Sequence, residues 1–195
     1  MAGPTSAQID HYVRMFERLS GDAWEIGETC WLSVVRGATV PAVVRRLHGD
    51  PDALTTCRPV DLDYDDDVVF VEQRDDAVLV VGCTVAGLAE EHLPRLSAGA
   101  TVYGLFWLVN NYNQLYHHVD GVVRTALDVL RPRERWGGDP EGLTDHLGAL
   151  TERADAETAG PDWETAAATL ESLTGLRLDA DWFHRPQPLA RLNGR

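Results

Sequence analysis

His117 and His118 stand side by side in YHHVDG, with Tyr116 before them and Asp120 two residues on. Imidazole titrates near neutral pH, so a histidine flanked by a hydroxyl and a carboxylate suits general acid or base work. The surrounding residues favour a strand, and successive strand side chains point to opposite faces. One of the two histidines can therefore join an inward site, and His118 shares its parity with Tyr116. Glu72, at the end of VVFVE, is a further acid/base candidate. If the chain is an enzyme, Glu72, Tyr116, His118 and Asp120 are the groups expected to move protons. The plainer alternative is a pair of surface or half-buried histidines with no chemistry.

A second chemistry is suggested by DLDYDDDVVFVE, Asp61 to Glu72. A twelve-residue calcium loop takes ligands from positions 1, 3, 5, 7, 9 and 12, and needs glycine at position 6. Asp61, Asp63, Asp65, Asp67 and Glu72 fall on five of these positions, but Asp66 replaces the glycine. Pro59 opposes a helix entering the loop. Val68 to Glu72 alternates like a strand, which would carry Glu72 roughly 17 Å from Asp67 at about 3.3 Å per residue. No metal is expected, with a weak surface site at Asp61, Asp63 and Asp65 as the alternative. The sequence shows no P-loop, GxGxxG, GxSxG or HExxH, so no cofactor is expected.

Side chains that could bind a partner are Trp107, Asn110, Arg135 and Trp136. Tryptophan and arginine are enriched where binding energy concentrates, and Trp136 follows the charged run RPRER. Trp31 and Trp107 lie mid-strand, so a core position is the competing reading for them. The chain carries a net charge of −14, and its 17 basic residues are all arginine. An acidic chain lacks the basic footprint of a nucleic-acid binder and is repelled by anionic membranes. A basic protein partner fits the charge, and the oligomeric state stays open. Three widely spaced cysteines (Cys30, Cys57, Cys83), no leader pattern and no long apolar run fit reduced thiols in a cytoplasmic protein.

The elements that must position these groups follow from periodicity. Helices are expected at Ser6–Arg18, from Thr39 to His48, at Glu90–Leu96, from Pro140 to Leu150 and at Asp162–Thr174. Strands are expected at Glu28–Arg36, Asp67–Gln73, Ala77–Cys83, Ala100–Asn110, Gln114–Val119 and Val122–Val129, with Asp120-Gly121 as a hairpin turn. Arg131 to Gly138 reads as a loop. The order predicts one α+β domain over residues 1–195: a single antiparallel sheet of five or six strands, with helices packed on one face. Residues 1–20 form an N-terminal helical segment, 151–160 a mobile connector and 186–195 a frayed tail.

Four stretches carry a family resemblance: WLSVVRGATVPAVVRRLHG, VVFVEQ, HLPRLSAGATVYGLFWLVNNYNQLYHHVDGVV and WGGDPEGL. Together they resemble an uncharacterised actinobacterial family known as a domain of unknown function. Its pattern is VRG…RRLG, VE, LSxG, WxVN, DG and GxDP. Arg36, Gly37, Glu72, Ser97, Gly99, Trp107, Asn110, Asp120, Gly121, Asp139 and Pro140 carry the match. Leu108 departs from the commoner WNVN form. The resemblance implies an α+β fold and no particular activity. With no assembled catalytic motif, the expected function is a protein-interaction module with an acidic face, of an immunity-like or operon-partner kind. A small cofactor-independent enzyme using Glu72 and His118 in a sheet-lined pocket is the alternative, and a small-molecule sensor the third.

Overall fold

The computed structural model describes residues 3–21, 29–62, 67–82, 89–108, 112–156 and 162–192. Helix α1 spans Ser6–Leu19 and is capped by Thr5. The Thr5 hydroxyl accepts from the Gln8 amide at 3.3 Å, and the Gln8 side-chain oxygen accepts from the Thr5 amide at 2.9 Å. This reciprocal capping box satisfies two otherwise orphaned donors. Strand β1 (Thr29–Arg36) follows, then α2 (Val40–Arg46), β2 (Thr55–Cys57), β3 (Val68–Arg74) and β4 (Ala77–Gly82). Next come α3 (Ala89–Leu96), β5 (Thr101–Leu108), β6 (Tyr112–Val119), β7 (Val122–Asp128) and β8 (Arg131–Trp136). The chain ends through α4 (Gly148–Ala154), α5 (Trp163–Thr174), α6 (Ala180–Phe183) and β9 (Gln187–Arg191).

One antiparallel sheet of nine strands results, in the order β2-β9-β3-β4-β1-β5-β6-β7-β8. The expected five or six strands are all present, and three more join them. Arg131–Trp136 is a strand and not a loop. Its proline and four charged residues hid it, and a proline is tolerated there because β8 is an edge strand. The expected frayed tail is also a strand: β9 lies between β2 and β3, pairing Leu189 with both Thr55 and Phe70. The segment after Pro140 is not one helix. The Gly138 and Asp139 amides bond back to Val123 and Arg124 carbonyls, and a 3-10 turn at Thr144–His146 precedes α4.

Helices cover both faces of the sheet, not one. Strand alternation sends Leu32, Val34, Phe70, Leu79, Val81, Leu105, Trp107, Leu115 and Leu127 into a core shared with α1, α4, α5 and α6. We call this side face one. The opposite parity sends Trp31, Val35, Val69, Val71, Val78, Val80, Val102, Phe106, Tyr116 and Ala126 to face two, under α2 and α3. A central strand buried on both sides loses its polar alternation. β1 reads TCWLSVVR, with Cys30 to Val35 all buried, which is the near-continuous apolar pattern such strands require. No helix among the described residues is long and apolar enough to cross a membrane.

Candidate functional site

The four acid/base candidates do not come together. Glu72 projects from β3 on face one, the parity of Val68 and Phe70. Its carboxylate accepts from Arg74 Nε at 2.7 Å and from the buried Trp182 indole Nε1 at 2.9 Å. Arg74 also donates to the Arg177 carbonyl at 2.6 Å. Glu72 therefore ties the α6 region to the sheet. Arg36 does a related task, donating to the Thr174 carbonyl at 2.6 Å and to both carboxylate oxygens of Asp76 at 2.9 Å. These arginines satisfy carbonyls at and beyond the C-terminus of α5, where a helix leaves acceptors without partners. Nothing in the sequence marked this role, because each arginine sits beyond the apolar stretch of its strand.

Tyr116 and His118 face the other side. The Tyr116 hydroxyl receives the Trp31 Nε1–H at 2.5 Å and shares a 2.7 Å hydrogen bond with Ser33. Burial pushes the phenol well above its ordinary pKa, and these two hydrogen bonds offset part of that rise. His118 packs edge-on against Tyr116, with ring centroids 5.8 Å apart. Its Nδ1 is buried with no hydrogen-bond partner. Burial, assisted by His117, lowers its pKa to about 4, so the ring is neutral at physiological pH. His117 turns to face one and stacks flat on Tyr103, with centroids 4.4 Å apart and planes 4° apart. The opposite orientation of the two histidines follows the parity read from the sequence. The sheet itself separates His118 from Glu72, so these two cannot share a proton in one pocket.

Asp120 sits apart from both, at the tip of the β6–β7 hairpin. Asp120 and Gly121 have φ values of 50° and 81°. Two successive left-handed residues are what a two-residue turn between twisted strands needs, and Asp-Gly adopts them readily. The carboxylate is exposed beside a polar cleft of about 380 Å³ at this end of the sheet. Arg36, Gly37, Gly99, Ala100, Thr101, Val119 and Asp120 line it. A second, enclosed space of about 20 Å³ lies under α5, beside Tyr12, Arg74, Glu171 and Arg177. It has room for a water molecule and no larger ligand.

The binding candidates divide as well. Trp107 is fully buried on face one, between Phe16 and Trp163, and stacks on the latter at 5.7 Å. Arg135 is also committed, donating to Glu141 at 2.7 Å, to the Thr144 hydroxyl at 2.6 Å and to the Pro132 carbonyl at 2.8 Å. Trp136 is different: 42% exposed on the edge strand β8. It pairs with Ala126, which pairs with Tyr116, so its side chain belongs to face two. Tyr112, 38% exposed, is on that face too. Asn110 lies outside the described residues.

Of the weak metal alternative, Asp63 and Asp65 lie outside the described residues. Asp61 is paired with Arg58, through contacts of 2.6 and 2.8 Å. Glu72 is held on β3 as described. Among the described residues no group of three or more His, Cys, Asp or Glu could hold a metal ion. Replacing Asp61, Asp63 and Asp65 together by Asn should move the melting temperature by no more than a degree or two, since exposed pairs contribute about 0–1 kcal/mol. Millimolar calcium should not raise it in either protein. A calcium-dependent rise that the triple variant loses would restore the metal loop.

A family model described as a family of unknown function, DUF6461, matches residues 5–187. No curated protein and no solved structure matches the chain.

Proposed function

We propose that this chain, which belongs to the DUF6461 family of unknown function, works as a protein-binding module, and that Trp136 anchors the contact. The observation that carries the reading is the exposure of a tryptophan on an edge strand. Among the described residues α2 packs on β3 and α3 on β5, three strands in from β8. A large aromatic left 42% exposed retains apolar area that a partner could remove from water, and tryptophan dominates binding hot spots. Edge strands also risk uncontrolled pairing. Here Pro132 and the paired Arg131, Arg133 and Arg135 blunt β8, which favours side-chain recognition over strand addition.

Two further observations support this reading over the enzyme alternative. The candidate acid/base groups are divided between the two faces and a hairpin tip. One oxygen of Glu72 accepts from Arg74 and Trp182, and the Tyr116 hydroxyl is bonded to Trp31 and Ser33. With a net charge of −14, the surface would attract a basic partner and speed its approach, an effect that salt weakens. A neutralising or regulatory partnership fits that charge.

The test is affinity capture from a lysate of the cells that encode the protein. The native chain should retain a protein in stoichiometric amount. Trp136→Ala should retain it about 30-fold more weakly, the loss of a hot-spot side chain worth about 2 kcal/mol. Its melting temperature should stay close to that of the native chain, because the side chain is half exposed. No stoichiometric partner, or equal retention by the variant, would overturn the proposal.

A further inference from the structure

We draw no further inference here: the strongest candidate, the half-exposed pair Tyr112 and Trp136 on face two of the outer strands β6 and β8, belongs to the protein-binding surface already described, and nothing in the structure shows what covers it.

Discussion

Gly104→Ala is expected to destabilise the fold by about 3 kcal/mol, the upper end of what one forced methyl costs in a packed core. Gly104 lies on β5 between Ser33 of β1 and Tyr116 of β6. A Cβ there would sit 2.2 Å from the Tyr116 hydroxyl oxygen, 2.3 Å from Cζ and 2.5 Å from Cε2. The ring lies directly over the missing side chain. A flexible surface tyrosine could swing away, but Tyr116 is 1% exposed and its hydroxyl is bonded to Trp31 and Ser33. Moving it would leave two buried polar groups without their partner, each costing about 1–3 kcal/mol. Tyr116→Phe, which keeps the ring and drops the hydroxyl, should cost about 1–3 kcal/mol by that route alone. Urea unfolding followed by near-ultraviolet circular dichroism measures both. A Gly104→Ala protein within 0.5 kcal/mol of the parent would mean that the ring does not occupy this position.

The second large effect is on acid stability. His118 has a pKa of about 4 in the folded chain against 6.5 for an ordinary imidazole. The unfolded chain therefore binds a proton first as pH falls. Stability from this group is complete above about pH 6.5, declines between 6.5 and 4, and stays lost below that. After a discount for solvent screening of the partly covered ring, the loss is about 2 kcal/mol. His117 and His146 are also lowered, chiefly by burial, and act in the same direction. Glu171 adds a separate, lower window. Burial alone would raise its carboxyl, but hydrogen bonds from Arg177 and Gln8 outweigh that and leave it below the ordinary 4.5. Its contribution is present above about 4.5 and is lost as pH falls further. His118→Gln should flatten much of the decline between pH 6.5 and 4 and leave the lower window in place. Denaturant midpoints measured from pH 7.5 to 3.5 read both windows. An unchanged upper slope in the variant would show that His118 is not the buried group responsible.

Asp120-Gly121 was legible as a hairpin turn because turn chemistry is local. The period-2 alternation of β3, with Val68 and Phe70 opposed to Val69 and Val71, was legible for the same reason, as was the opposition of His117 and His118. Which histidine would be the more deeply buried, and which tyrosine each would meet, was not. That depends on Val102, Tyr103, Thr125 and Val123 across two strand pairings. Trp136 could be singled out from its polar surroundings, but Arg135 and Trp107 had equal claims until their contacts were known. The cleft escaped notice because its walls come from three separate segments, and each glycine in it has a sufficient local reason to be there.

By itself the sequence determined the helices and strands of the central part of the chain, the face to which each strand residue points, and the acidity of the surface. Tertiary structure decided which weak segments became strands. β9 has no pattern strong enough to announce itself, yet Val68, Val69 and Phe70 supply a ladder that completes its hydrogen bonds and buries Leu189 and Ala190. β8 is a strand because β7 offers an open edge that tolerates proline. Local propensities are worth tenths of a kcal/mol per residue, whereas pairing and burial supply several times more and act between residues far apart in the chain. That inequality is why the turns could be read in advance while both edges of the sheet, its second helical layer and the cleft at Asp120 could not.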